Sequence, residues 1–158
     1  MTVTGISSAK RSVVNFDHMY SRDELITAVA ELDFLIVLTP YSAETRKIIN
    51  SSVFAAMKQS AFFINLARGG VVDDDALIHA LKAGQIAGAA LDVFNQEPLP
   101  KNHPFWSIKN IIVTPHLAGF HDNYASEALP TVETNMHKFL AEDFSNMVNV
   151  VKRGQPGT

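Results

Sequence analysis

The chain has 158 residues, of which 47% are hydrophobic and 18% are charged, a composition that is typical of a folded domain and excludes a disordered tail. Its formal net charge of -3 argues against general binding to nucleic acid or anionic membranes, so we expect small molecules or other protein as partners. The absence of cysteine excludes disulfides and thiolate zinc sites, and the histidines form no H-x-x-x-H pair, so we predict no metal site.

The first residues, MTVTGISSAKR, lack the apolar core of a signal peptide. The longest apolar run covers only 34–38, whereas a membrane-spanning helix needs about 18 apolar residues. We therefore expect a soluble, cytoplasmic protein that is not inserted in a membrane.

Short apolar runs rich in β-branched and aromatic residues predict strands at five places. They lie at 3–6, 34–38, 61–66, 86–94 and 111–113. Segments with helical patterns separate them, and strands alternating with helices indicate right-handed βαβ crossovers and a mostly parallel sheet covered by helices. The predicted fold class is α/β.

Three short helices have recognisable boundaries. Ser21 and Glu24 form an S-x-x-E capping box at the start of the first, and the second begins near Ser51. The third covers about 74–83, with Asp73 as its N-cap and Gly84 just after its C-cap.

A longer helical stretch follows residue 120, because apolar residues recur there at helical spacing. Pro130 is placed to kink or interrupt this helix. We therefore divide the chain into a domain at 1–120, a C-terminal helical segment at 121–151, and a flexible tail at 152–158.

Ligands of open parallel sheets bind beyond the carboxyl ends of the strands, and four polar residues lie at or just after the predicted strand ends. They are Arg68, Asp92, Glu97 and His116. Taken singly, each has a plainer interpretation: a surface arginine, two solvated acids and a structural histidine. Taken together, an arginine that can bind a carboxylate and an imidazole beside an acid can perform acid/base chemistry on an acidic substrate.

At this point the sequence resembles a known family. The run INLARGGVVDDDALIHALKAGQIAGAALDVFNQEPLP, followed by NIIVTPHLAG, is similar to the signature region of the D-isomer-specific 2-hydroxyacid dehydrogenases, among them glyoxylate/hydroxypyruvate reductases. The likeness runs from Met1 to about Val151. It implies hydride transfer between NAD or NADP and C2 of a small 2-oxo or 2-hydroxy acid, with His116 as acid/base, Glu97 as its partner, and Arg68 binding the substrate carboxylate.

The resemblance also implies cofactor-binding positions. These are Thr39 and Pro40 in a groove, Ala67 and Arg68 beside the nicotinamide ribose, Asp92 at the carboxamide, and His116 and Gly119 near the nicotinamide. Where many relatives carry an aspartate that binds the adenosine ribose, this chain has Ser7, followed by Ser8, Lys10 and Arg11. These residues would accept a 2′-phosphate, so we predict a preference for NADP. The alternative is a solvated basic turn.

The glycine-rich turn that opens the dinucleotide-binding fold of this family is not found in the sequence. We therefore expect an incomplete, doubly wound Rossmann-type sheet that lacks its first, central strand, and strand edges that favour a homo-oligomer. An alternative function is that of a truncated, catalytically silent remnant that associates with another chain.

Overall fold

A computed structural model describes residues 1–150 of the chain. Its strands are β1 (Thr4–Ser7), β2 (His18–Ser21), β3 (Phe34–Val37), β4 (Phe62–Asn65), β5 (Gly88–Leu91) and β6 (Ile111–Val113). Its α-helices are α1 (Leu25–Val29), α2 (Ser51–Ala56), α3 (Asp74–Lys82) and α4 (Tyr124–Leu140). The predicted tail at 152–158, and the last residue of the predicted helical segment, lie outside the described residues.

The strands form two parallel sheets. One contains β1 and β2, and the other has the order β3-β4-β5-β6. Since α2 connects β3 to β4 and α3 connects β4 to β5, the chain is an α/β fold as predicted. Among residues 1–150 no strand joins the two sheets, in agreement with the expected lack of a central strand.

Two strand predictions needed correction. Strand β2 was missed, because HMYS has no run of β-branched residues; it pairs with β1 through the backbone, with Gly5 opposite Met19. The strand predicted at 86–94 covers only Gly88–Leu91, and the buried residues Val93 and Phe94 belong to the following loop. These apolar residues extend the apolar run of β5 in the sequence, so the loop was predicted as strand.

The core lies against one face of the four-stranded sheet. Side chains of adjacent strand residues point to opposite faces, so Leu35, Val37 and Phe63 are buried while their neighbours point the other way. Phe54 of α2 packs edge-on against Phe63, with ring centroids 5.3 Å apart. The opposite face leaves several large apolar side chains exposed, namely Phe34, Ile36, Phe62 and Ile112.

The predicted helix boundaries are confirmed. The Ser21 and Glu24 capping box is formed, although a short 3₁₀ turn at Arg22–Glu24 precedes α1. Asp73 caps α3 by accepting a hydrogen bond from the amide of Ala76. Gly84 has φ +66°, a left-handed conformation that favours glycine and ends the helix.

The chain divides into two compact units, the first ending at Ala118. In the second, which starts at Gly119, α4 continues through Pro130, so this proline does not interrupt the helix. Asn135 binds both backbone groups of Val148, donating to its carbonyl at 2.8 Å and accepting from its amide at 2.9 Å. Within residues 1–150, no helix has the length and apolar character required to cross a membrane.

Candidate active site

The turn that carries Arg68 is folded by the last residue of β4. Asn65 is 1% exposed; its side-chain oxygen accepts from the amide of Ala67 at 3.0 Å and its nitrogen donates to the carbonyl of Arg68 at 3.1 Å. Arg68 itself is exposed, and its Nη1 donates to the carbonyl of Ala67 at 2.6 Å. Sequence analysis missed Asn65, although an asparagine at the end of a strand, followed by a turn, is typical of a side chain that bonds to the backbone of that turn.

Gly69 brings this turn against the segment that follows β5. A Cβ at Gly69 would lie 1.9 Å from the carbonyl carbon of Phe94 and 2.2 Å from the amide nitrogen of Asn95. Only glycine allows the two backbones to approach this closely. The segment carrying Arg68 therefore lies alongside the one that leads to Glu97.

Glu97 and His116 form a pair at this edge of the sheet. The Nδ1 atom of His116 lies 2.8 Å from Oε2 of Glu97, and Oε1 of Glu97 accepts from the amide of Phe94 at 2.9 Å. The hydrogen bond with His116, then that from Phe94, lowers the pKa of Glu97, and the charge of Arg68 lowers it further. The carboxylate is thus kept ionised beside the imidazole.

Asp92 supports the segment that contains His116. It is 3% exposed and accepts hydrogen bonds from the Thr114 hydroxyl and from the amides of Leu117 and Ala118. Burial raises the pKa of Asp92, but the bonds from Thr114, Ala118 and Leu117 outweigh burial, so that the pKa lies below its usual value. Asp92 is therefore a buried anion.

A cleft of about 440 Å³ lies between the ends of β3 and β4. Its lining residues are Leu38, Thr39, Pro40, Tyr41, Leu66, Ala67 and Arg68. Four residues that the sequence assigned to cofactor binding thus meet in one cleft: Thr39, Pro40, Ala67 and Arg68. Thr45, which sequence analysis missed, is buried and donates to the carbonyl of Pro40 at 2.7 Å, so it fixes the wall of this cleft.

The residues predicted to select NADP lie at the end of β1, in the other sheet. The hydroxyl of Ser7 donates to the carbonyl of Ala9 at 2.6 Å. Nζ of Lys10 lies 3.5 Å from Oε1 of Glu24 and over the ring of Tyr20. Ser8 and Arg11 are exposed. No hydrogen bond or ion pair of the described chain connects these residues to the cleft.

Gly119, the remaining predicted position, begins the second unit, and a Cβ there would meet no atom within 4 Å. Among the described residues no group of three or more histidines and acids is placed to hold a metal ion.

Comparison with known proteins decides the family. The family model "D-isomer specific 2-hydroxyacid dehydrogenase, NAD binding domain" matches residues 1–118. The chain belongs to this family. It is 41% identical over 127 residues to glyoxylate/hydroxypyruvate reductase B of Cronobacter sakazakii, a match that covers 80% of the chain and 39% of that protein. It is 48% identical over 95 residues to glyoxylate reductase of Thermofilum pendens, which covers 60% of the chain and 28% of that protein.

A solved member of the family has the same fold. The D-isomer specific 2-hydroxyacid dehydrogenase of Xanthobacter autotrophicus, in complex with NADPH and MES, is 37% identical with a TM-score of 0.81. That match covers 89% of the chain and 57% of the solved chain. The chain spans about half or less of the length of the curated relatives that it matches.

Proposed function

We propose that the chain provides the acid/base and carboxylate-binding residues for hydride transfer between a nicotinamide cofactor and a small 2-oxo or 2-hydroxy acid. The observation that carries this proposal is the bond between His116 and Glu97 at the sheet edge where Arg68 also lies. The names of the glyoxylate/hydroxypyruvate reductases among the relatives suggest glyoxylate and hydroxypyruvate as the first substrates to test.

His116 is the proton donor when the oxo acid is reduced. Because Glu97 occupies Nδ1, the other ring nitrogen is the one left to face a substrate oxygen. An ionised Glu97 stabilises the protonated imidazole, so His116 can give its proton to the carbonyl oxygen as that oxygen becomes a hydroxyl. In the oxidative direction His116 removes the hydroxyl proton. The bound cofactor would supply or accept the hydride at C2.

Arg68 binds the substrate carboxylate in this proposal. Within residues 1–150, one guanidinium nitrogen donates to the protein, at the carbonyl of Ala67, so further N–H groups remain for a ligand. A guanidinium can make two parallel hydrogen bonds to a carboxylate, which orients the acid as well as holding it. Arg68 therefore selects acids over neutral carbonyl compounds.

The chemistry of the predicted cofactor residues fits a dinucleotide phosphate. Thr39, Pro40 and Ala67 would line the nicotinamide side, and Lys10 and Arg11 place two cations near the end of β1. NADPH is bound in the Xanthobacter relative, which supports a preference for NADP over NAD. Both cations lie in the loop between β1 and β2 and would meet a 2′-phosphate there.

A second candidate is a silent chain that associates with another chain. The apolar side chains exposed on the four-stranded sheet favour it, because such a face is covered in most soluble domains. The same face supports our proposal that the chain is a homo-oligomer.

We also propose a cytoplasmic location.

One assay separates the two candidates: glyoxylate or hydroxypyruvate is mixed with the chain and NADPH or NADH, and loss of nicotinamide absorbance is followed. The first candidate predicts turnover that His116→Ala abolishes, that Arg68→Lys weakens mainly through a higher KM for the acid, and that is faster with NADPH. His79→Ala is the matched control, because His79 is exposed on α3. A flat trace from folded protein would favour the silent chain, and turnover that survives in His116→Ala would contradict the mechanism.

A further inference from the structure

Asp92 is a buried carboxylate whose negative charge is stabilised by hydrogen bonds from uncharged donors. Its Oδ1 accepts from the Thr114 hydroxyl at 2.6 Å and from the amide of Leu117 at 2.8 Å, and its Oδ2 accepts from the amide of Ala118 at 2.8 Å. No lysine or arginine of the described chain forms an ion pair with it. An ionised carboxylate can stay buried only when such bonds replace water, so these three contacts stabilise the folded position of Asp92.

The three donors lie on both sides of His116, which has φ +57°. A left-handed conformation costs a residue other than glycine about 1–2 kcal/mol, so neighbouring contacts must hold His116 in it. On its N-terminal side, the amide of Thr114 donates to the carbonyl of Leu91 at 2.9 Å, which continues the pairing of β5 and β6. On its C-terminal side, the amides of Leu117 and Ala118 bond to Asp92.

Asp92 therefore fixes the backbone on the C-terminal side of His116, whereas pairing of β6 with β5 fixes the backbone on its N-terminal side. The loop after β5 also supplies Glu97, which bonds the imidazole itself. The backbone of His116 and its ring are thus held by two carboxylates from one short segment. With both in place, the Nδ1 atom faces Glu97, and the other ring nitrogen makes no hydrogen bond to the part of the chain that the structure describes.

The hydrogen-bonding capacity of Asp92 also limits what else it can bind. Each carboxylate oxygen accepts about two hydrogen bonds, so Oδ1 is filled and Oδ2 has one acceptor position left. The carboxamide contact that the family resemblance implies for Asp92 could use only Oδ2. Most of the capacity of this side chain is used within the protein.

We propose that Asp92 is a positioning residue for His116, which holds the 114–118 segment so that the imidazole is presented from a left-handed backbone. This inference rests on the proposed function for its catalytic meaning. Its structural part is that bonds to Asp92 protect the amides of Leu117 and Ala118 from hydrogen exchange. This protection can be measured on the chain without any substrate.

The decisive variant is Asp92→Asn, which preserves size but replaces one acceptor oxygen by an NH₂ group that faces a donor. We expect amide hydrogen exchange at Leu117 or Ala118, measured by NMR, to accelerate about tenfold or more, and the hydrogen-bonded His116 ring proton to exchange faster with water. Asp75→Asn removes an exposed acid from the start of α3 and should leave these signals unchanged. If Asp92→Asn does not fold, the second variant is Thr114→Val, which removes the hydroxyl bond that orients the Asp92 carboxylate. It should also accelerate exchange at Leu117 or Ala118, and unchanged exchange at both would overturn the proposal in the same way.

Unchanged exchange at Leu117 and Ala118 in the folded Asp92→Asn variant would overturn the proposal. Where the wild-type chain turns over, we expect kcat to fall about tenfold or more while KM for the acid changes little, because Arg68 lies on a separate turn. A higher KM for the cofactor at unchanged kcat would instead assign Asp92 to cofactor binding and also overturn it. Absence of turnover in the wild type would count against the proposed function alone, because the exchange measurement still decides the role of Asp92.

Discussion

Glu97 and His116 are joined at 2.8 Å through Oε2 and Nδ1, and the second oxygen of the same carboxylate accepts from the amide of Phe94. Both bonds favour the ionised carboxylate and lower its pKa from the usual 4.5. Folding therefore favours loss of the Glu97 proton. The stability that ionised Glu97 contributes is fully present above pH 4.5. It is lost as the pH falls below 4.5 and through the lower pKa of the folded state.

The first prediction is that Glu97→Gln reduces the loss of stability in acid. We expect the difference in unfolding free energy between wild type and variant to shrink as pH falls below 4.5, since protonated Glu97 no longer forms these bonds well. Urea unfolding at a series of pH values measures it. Glu31→Gln, at an exposed acid outside the site, is the control; a wild-type advantage that stays constant in acid would refute the prediction.

The second prediction concerns three glycines in different environments. Gly69→Ala places a methyl group 1.9 Å from the Phe94 backbone and should destabilise the fold by about 1–3 kcal/mol or more. Gly84→Ala, at φ +66°, should cost about 1–2 kcal/mol through backbone strain alone. Gly119→Ala meets no atom within 4 Å and should change stability by less than about 0.5 kcal/mol. Thermal unfolding should rank them in this order, and a neutral Gly69→Ala would disprove the close backbone approach.

The third prediction separates the cap of α3 from its ion pair. Asp73 accepts from the amide of Ala76 and lies 3.2 Å from Nζ of Lys47. Asp73→Ala should cost about 0.5–2 kcal/mol, whereas Asp73→Ser, which keeps the cap, should recover most of this loss. Lys47→Met should cost under about 1 kcal/mol because the pair is exposed. Equal losses in Asp73→Ala and Asp73→Ser would show that charge dominates.

The fourth prediction is that the exposed sheet face drives self-association. Ile36 and Phe62 are 52% and 43% exposed, and their side chains point away from the core. Ile36→Lys and Phe62→Lys should therefore reduce the mass measured by light scattering without loss of helical circular dichroism. Ala55→Lys, on the exposed side of α2, is the matched control. A mass that neither sheet variant changes would rule this face out.

The sequence allowed prediction of those features that local patterns encode. Apolar runs located β3, β4 and β6, and capping residues such as Asp73 located helix starts, because both depend on neighbours within a few residues. Strand β2 was missed because backbone pairing to β1 creates it. The bonds of Asp92 could not be predicted either, since its partners Leu117 and Ala118 lie 25 and 26 residues away.

Asn65 and Asp92 differ in how far along the chain they reach. Asn65 folds its turn through partners 2 and 3 residues away, so the turn that presents Arg68 can form as soon as β4 does. Asp92 must wait for a segment 25 residues later, and closing a longer loop costs more chain entropy. We therefore expect Arg68 to reach its place early in folding and His116 late. The ability of His116 to transfer a proton would then be regained last on refolding and lost first when β6 detaches.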